Sequence, residues 1–111
     1  MERSEGLFLD TLYGLLSNSQ RRYVLYHLLE SDRSTVEELA RDVAKRDGSD
    51  EREVAISLTH SHLPRLADHG LVEYDGESGH VTVTESFETL RRTIEQSKGL
   101  EVDGQPMSNR W

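Results

Sequence analysis

Apolar residues recur along most of the chain at intervals of three and four positions, the spacing that places them on one side of an α-helix. The polar tetrapeptides SNSQ, SDRS and DGSD interrupt this pattern and separate one predicted helix from the next. The predicted helices cover residues 7–16, 20–30, 34–46, 50–69 and 85–97.

Helix-capping residues lie at these breaks. Asn18 or Ser19 is placed to cap the second helix, and Ser49 or Asp50 is placed to cap the fourth. The sequence STVE at 34–37 has the spacing of a capping box, so we expect the third helix to begin there.

The fourth helix contains a proline near its middle. A regular helix would bury one group of residues, Ala55, Ile56, Thr59, Leu63 and Leu66. Its opposite face would carry Ser57, Ser61, Pro64, Arg65 and Asp68. A proline in a helix interior removes a backbone hydrogen bond and costs about 3 kcal/mol. Pro64 therefore either bends the helix between its two halves or shapes its packing against the segment that follows.

Two short β-prone runs, 71–74 and 80–83, follow the long helix and are joined by an acidic, glycine-containing turn, so they predict a hairpin. The element order is α-α-α-α-β-β-α, which is an α+β and mostly α fold. We expect one domain over residues 7–98. Residues 1–6 are expected to be frayed and residues 99–111 to form a flexible tail.

The charge balance is acidic, with 21 Asp and Glu against 13 Lys and Arg and a net charge of −8. Lysine occurs only at positions 45 and 98, and the other basic residues are arginine. An acidic surface with few lysines is typical of halophilic proteins, although an ordinary acidic bacterial protein is the alternative. The sequence has no cysteine, no apolar run near 18 residues and no signal-peptide layout, so we expect a cytoplasmic protein without a membrane segment.

The segment around the proline resembles a known family. The motif His60-x-His62-Leu63-Pro64-x-Leu66, followed by GLV at 70–72 and a hairpin, resembles a haloarchaeal winged helix-turn-helix family, similar to ArsR/MarR-like transcriptional regulators. The resemblance covers residues 17–84. It implies a winged helix-turn-helix fold and DNA binding, and it indicates neither a promoter nor a signal.

In a helix-turn-helix, the second helix of the pair enters the major groove, where its exposed side chains meet base edges and phosphates. The pair predicted here covers residues 36–46 and 50–69. The candidate DNA-binding residues are Arg52, Ser57, His60, Ser61, Arg65, Arg41 and Arg46. Each of them also fits an ordinary solvated helix face, and arginines near the end of the third helix also suit its dipole. Acidic residues at 51, 53 and 68 and the acidic hairpin tip oppose these bases.

We expect no cofactor, no metal and no enzymatic activity. The chain contains neither the HExxH nor the CxxC spacing of a zinc site, and neither a P-loop nor a G-x-S-x-G motif. His62 is interpreted as a partly buried packing residue, with a role in metal binding as the alternative.

These features predict a DNA-binding transcriptional regulator of halophilic archaeal type, which reads double-stranded DNA with helix 50–69 and a wing at 72–83. A homodimer through helices 7–16 and 85–97 is expected, because both carry apolar stripes; the alternative is that the stripes pack on each other within one chain. The stripes consist of Leu7, Phe8, Leu12, Leu15, Phe87, Leu90 and Ile94. The acidic wing favours a different function, a winged-helix module that docks a protein and does not bind DNA.

Overall fold

The computed structural model describes residues 2–101, and their side chains from Leu9 onward. Its elements are α1 (Glu2–Leu16), α2 (Ser19–Glu30), β1 (Arg33–Thr35), α3 (Val36–Asp47), α4 (Glu51–Ser57), a π-helical turn (Leu58–His62), α5 (Leu63–Asp68), β2 (Val72–Tyr74), β3 (His80–Val83) and α6 (Glu85–Leu100). α1 begins five residues before the predicted start at Leu7, and α6 ends three residues after the predicted end at Ser97. The rest of the predicted tail, from residue 102, lies outside the described residues.

The caps of α2 and α4 are among those predicted. The Asn18 side chain accepts hydrogen bonds from the backbone N–H groups of Gln20 and Arg21, and the Asp50 side chain accepts one from Glu53. These bonds satisfy N–H groups that have no partner within a helix. At the other end of the α4–α5 segment, Gly70 adopts the left-handed conformation expected after a helix, with φ of 78°.

The capping box of α3 lies one residue later than predicted. Thr35, and not Ser34, is the N-cap, and Glu38 is its reciprocal partner. Ser34 is drawn away because it pairs with Val81 in a three-residue strand, β1, that the sequence pattern did not reveal. The segment SDRS, which the pattern predicts only as a break between two helices, is therefore a strand in its second half.

The sheet has three antiparallel strands in the order β1-β3-β2. β2 and β3 form the predicted hairpin, with Glu73 opposite Thr82. β1 pairs with the other edge of β3, and the N–H of Val36 continues this ladder by donating to the carbonyl of Gly79 at 2.9 Å. The hairpin is thereby fixed against the start of α3, and the chain is α+β and mostly helical, as predicted.

The apolar stripes of the helices meet in one core. The residues with least exposure include Leu12, Val24, Leu25, Leu28, Leu39, Ala40, Val43, Leu58, Leu63, Leu66, Val81, Phe87 and Ile94. The stripes of α1 and α6 are part of it, because Leu15 and Leu90 are also buried within the single chain. For these residues the intramolecular alternative is observed; the side chains of residues 7 and 8 lie outside the described part. None of the described helices is long and apolar enough to cross a lipid bilayer.

The long helix is interrupted by the π-turn, and this changes which residues are buried. Leu58 and Leu63 would lie about 140° apart on a regular helix. Both are nevertheless 0% exposed, because the N–H of Leu63 bonds to the carbonyl of Leu58, five residues back, and the extra residue supplies the missing rotation. The π-turn ends at His62, and Pro64, two positions later, has no N–H to donate and lies in the first turn of α5, where proline is tolerated.

The buried face predicted for a regular helix was therefore wrong in its first half. Val54 and Leu58 are buried there, Ala55 and Thr59 are half-buried, and Ile56 is 54% exposed. After the π-turn the prediction is confirmed, since Leu63 and Leu66 face the core.

The end of α6 is held on α2 by a cluster of polar bonds. Arg22 donates from Nε and Nη2 to the two carboxylate oxygens of Glu101, each at 2.9 Å, and from Nη1 to the carbonyl of Leu16 at 2.7 Å. Tyr26 donates its hydroxyl to Glu101 at 2.9 Å and lies 2.8 Å from the Ser97 hydroxyl. Burial raises the pKa of Tyr26 to about 12, so it remains a donor at neutral pH.

Candidate nucleic-acid interface

The predicted helix-turn-helix pair consists of α3 and the segment α4–α5. The α4–α5 segment exposes most of the predicted DNA-contacting residues. Arg52, His60, Ser61 and Arg65 are exposed, and Ser57, which was expected to point outward, is half-buried. The structure brings three of these side chains together, because His60, Ser61 and Arg65 line one shallow depression with Pro64, Asp68 and His69. The imidazole Nδ1 of His69 lies 2.9 Å from the carbonyl of Arg65.

An arginine outside the predicted set lies next to this surface. Arg21, at the start of α2, donates from Nε to the carbonyl of Leu15 at 3.0 Å and from Nη2 to the carbonyl of Gly14 at 3.4 Å. Its Nη1 lies 3.4 Å from Nδ1 of His62. Because a guanidinium can only donate, His62 accepts through Nδ1 and carries its proton on Nε2. Arg21 thus links the end of α1, the start of α2 and the π-turn.

Arg21, His62 and Arg65 form a basic cluster. Burial, followed by the positive charge of Arg65, lowers the pKa of Arg21. Burial, followed by the charges of Arg21 and Arg65, lowers the pKa of His62, so this imidazole is neutral at neutral pH. Within residues 9–101, no carboxylate forms an ion pair with either arginine of the cluster. A bound anion would relieve the repulsion between the two guanidinium groups.

Arg41 and Arg46 lie elsewhere. They line a groove between α2 and α3 that also contains His27, Glu30, Glu38, Asp42 and Lys45. Arg46 forms an ion pair with Asp42, with Nε and Oδ1 3.3 Å apart. The carboxylates in this groove balance its bases, so it does not extend the cluster around Arg65 into a continuous positive stripe.

A serine, a histidine and an aspartate are aligned beside this groove. Nε2 of His27 lies 3.2 Å from the Ser34 hydroxyl, and its Nδ1 lies 2.9 Å from Asp42. A hydrolytic triad has this order of contacts, but its serine must be free to give its proton to the histidine. The buried Ser34 instead donates to Glu38 at 2.9 Å, so its hydroxyl has no proton left to give to His27. This row connects α2, β1 and α3 and has no free nucleophile.

The tip of the hairpin is acidic and tightly turned. Oδ1 of Asp75 accepts hydrogen bonds from the N–H of Glu77 at 3.0 Å and of Ser78 at 3.5 Å. These bonds lower the pKa of Asp75, with the largest contribution from the N–H of Glu77, and keep its carboxylate charged. The tip therefore presents carboxylates to solvent.

A second groove lies between the hairpin, the start of α3 and the π-turn. It is lined by Thr35, Val36, Glu37, Thr59, Tyr74, Gly76, Glu77, Ser78 and Gly79. In the part of the chain that the structure describes, no group of three or more His, Asp or Glu side chains is arranged to hold a metal ion.

The position of Arg21 beside the candidate interface could not be predicted from the sequence. It precedes Arg65 by 44 positions and is followed directly by a second arginine, Arg22. The fold separates this pair, because Arg22 bonds to Glu101 while Arg21 turns toward His62. No periodicity or motif in the sequence indicates which of the two arginines bonds to Glu101 and which turns toward His62.

Comparison with curated proteins and with solved structures finds no match. Residues 13–82 match a family described as a domain of unknown function, DUF7344. The matched segment runs from the second half of α1 into β3, so it includes the π-turn, the basic cluster and all of the hairpin except Val83. Because this segment is more than half of the 111 residues, the chain belongs to the DUF7344 family.

Proposed function

We propose that this chain is a winged helix-turn-helix DNA-binding protein, a transcriptional regulator of halophilic archaeal type similar to the ArsR/MarR-like regulators. In this proposal α3 and the α4–α5 segment are the helix-turn-helix pair, and β2 and β3 are the wing. The observation that carries it is the order helix, strand, helix, helix, hairpin, with β3 pairing back to β1. The proposed function involves neither a catalysed reaction nor a cofactor.

The free outer surface of the second helical segment supports the proposal. A reading helix needs one face that anchors it and another that is bare. Leu58, Leu63 and Leu66 are fully buried on the anchoring face, while Arg52, Ser61 and Arg65 are exposed. Ser61 can donate to a phosphate or base edge, and Arg65 can form two bonds to guanine.

The basic cluster supports a phosphate contact beside that face. Arg21 is held in place by the carbonyls of Gly14 and Leu15, so its ordering does not have to be achieved on binding. Arg65 is exposed and forms no ion pair with a described carboxylate. A DNA phosphate near Arg21 and Arg65 would be attracted by both guanidinium groups.

The net charge of −8 fits this proposal in a high-salt cytoplasm. Affinity that comes from counterion release falls as salt rises. At multimolar salt a strongly basic surface therefore contributes little to binding, and contacts to bases and recognition of DNA shape must supply most of the binding free energy. An acidic protein with a small basic cluster meets that condition.

The experiment is a fluorescence-anisotropy titration with labelled duplex DNA in concentrated KCl. We expect Arg65→Ala and Ser61→Ala to bind more weakly than the wild type, by roughly tenfold for the arginine. Arg92→Ala, which removes the same charge from an exposed position on α6, is the matched control and should bind normally. Identical curves for all four proteins would exclude this face as the reading surface.

We further propose a homodimer, which would present two reading helices to a palindromic site. The predicted stripes on helices 7–16 and 85–97 are largely covered within the chain, so the contact is proposed through the exposed side chains of α1, Leu9 at 37% and Tyr13 at 58%. Sedimentation velocity should show a dimer for the wild type and a monomer for Tyr13→Asp. A monomeric wild type at all concentrations would contradict it.

A protein-docking module without DNA binding is the second candidate. The carboxylates of the wing tip and the interrupted line of arginines favour it. This candidate predicts no anisotropy change with any duplex, and it predicts that charge reversal at Asp75 and Glu77 abolishes capture of a basic partner protein.

A further inference from the structure

Ile56 occupies the centre of the outer face of α4. Val54 and Leu58, 1% and 0% exposed, define the side of this helix that faces the core. At 100° per residue, Ile56 lies about 180° from the midpoint of these two residues. Its side chain is 54% exposed and therefore points directly away from the core.

The neighbours of Ile56 are polar. Arg52, one turn earlier, is exposed on the same side of the helix. Thr59, one turn later, donates its hydroxyl to the carbonyl of Ile56 at 3.1 Å and lines the groove beside the hairpin. The isoleucine thus lies between a cationic side chain and the proposed wing.

An exposed apolar side chain does not by itself mark a site, and the position of Ile56 is what distinguishes it. The other large apolar side chains that are exposed in the described part of the chain are Leu9, Tyr13 and Leu100, on α1 and α6. A β-branched residue is also a weaker helix former than the charged residues that surround it. At the centre of a solvated face, isoleucine is therefore not selected by helix stability.

We propose that Ile56 determines sequence specificity by packing on the C5-methyl group of a thymine in the major groove. This inference rests on the proposed DNA binding. The thymine methyl is the apolar group that a base pair presents in this groove, so an apolar side chain at the centre of a reading face distinguishes thymine from cytosine and from uracil. Arg52 then lies one turn away, where it can reach a phosphate or a guanine.

The test uses a duplex selected by the wild-type protein from a randomised library, and the same duplex synthesised with uracil in place of each thymine in turn. Uracil keeps the hydrogen-bonding edge of thymine and lacks only the methyl group. We expect one or two positions at which uracil weakens wild-type binding about fourfold, the factor that corresponds to burial of one methyl-sized group.

The variant Ile56→Ala should bind thymine and uracil duplexes equally, and Ile56→Val should retain the wild-type preference. Leu100→Ala removes an exposed apolar side chain from a different helix, α6, and serves as the matched control, with unchanged affinities. Circular dichroism verifies that each variant is folded, which is expected because both side chains are exposed.

The outcomes separate the two proposals. If the folded wild type selects no duplex, DNA binding itself is wrong and the role of Ile56 falls with it. If a duplex is selected but uracil never weakens binding, or if Ile56→Ala keeps the preference for thymine, DNA binding stands and the role of Ile56 is overturned.

Discussion

Replacement of Glu101 by glutamine tests how the end of α6 is held on α2. Glu101 accepts two bonds from the guanidinium of Arg22 and one from the hydroxyl of Tyr26, all at 2.9 Å. The side chains of Arg22 and Glu101 are only 22% and 17% exposed, so salt screens this pair less than a surface pair. Glutamine keeps the shape of the side chain and removes its charge.

The expected loss follows from this geometry. Hydrogen bonds to a charged group contribute about 1.5–3 kcal/mol, whereas a fully exposed ion pair contributes about 0–1 kcal/mol. Because this pair is partly buried and bidentate, we expect Glu101→Gln to lower the free energy of unfolding by about 2 kcal/mol. For a domain of this size that corresponds to a fall in Tm of about 8 °C.

The effect should depend on pH with a definite sign. Burial alone would raise the pKa of Glu101, but the bonds from Arg22 and Tyr26 outweigh it and hold this pKa below its ordinary value. A carboxyl whose pKa is lower in the folded state stabilises the protein above its unfolded pKa of about 4.3 and loses this contribution as the pH falls through the folded value. The difference between wild type and Glu101→Gln should therefore be full at neutral pH and should shrink toward zero as the pH falls below the unfolded pKa and through the lower folded pKa.

The assay is thermal unfolding followed by circular dichroism at a fixed concentration of KCl, repeated across this pH range. Glu95→Gln, which removes the same charge from an exposed position on α6, is the control and should change Tm little. Equal losses for the two variants would show that charge, and not the bonds to Arg22, is responsible. A difference that persists below the pKa of Glu101 would refute the pH argument.

Three further predictions concern stability. Leu58→Ala, which truncates a fully buried side chain at the start of the π-turn, should cost about 3 kcal/mol in urea unfolding, whereas Ile56→Ala should cost less than about 0.5 kcal/mol; similar losses would contradict the assigned faces. Ser34→Ala should lower the free energy of unfolding by about 1–2 kcal/mol, because it removes the hydroxyl between His27 and Glu38. An unchanged urea midpoint would show that the hydrogen bonds of Ser34 do not help to hold α2 and α3 together. Gly48→Ala should destabilise the protein by about 1 kcal/mol because φ is 73° there, whereas Gly14→Ala, inside α1 with open space around it, should stabilise it by about 0.5 kcal/mol. Thermal melts that show lower stability for both variants would contradict this distinction.

The parts of the fold that depend on local interactions could be predicted from the sequence. In α3, Leu39, Ala40 and Val43 recur at intervals of one and three positions, and all three are buried, because helical spacing alone places them on one side. Asn18 and Asp50 cap their helices because a side-chain oxygen at that position satisfies nearby N–H groups whatever lies elsewhere in the chain.

The parts that depend on distant partners could not be predicted. β1 is only three residues long and polar, and it exists because β3, more than 40 positions later, offers a free edge. The burial of Ser34 and the one-residue shift of the capping box both follow from that pairing. Arg21 joins the candidate surface for the same reason, since its neighbour His62 lies 41 positions away.

The π-turn also has a consequence for how relatives of this chain should be aligned. A sequence with one residue fewer between Leu58 and His62 could form an ordinary helix over the whole segment without losing a single apolar position. Leu58 and Leu63 would then be four positions apart and would still lie on one side of the helix, so Ile56 would keep its place at the centre of the outward face. A one-residue gap at this point would therefore preserve both faces of the segment, whereas a gap elsewhere in α4 or α5 would rotate one half against the other by about 100°.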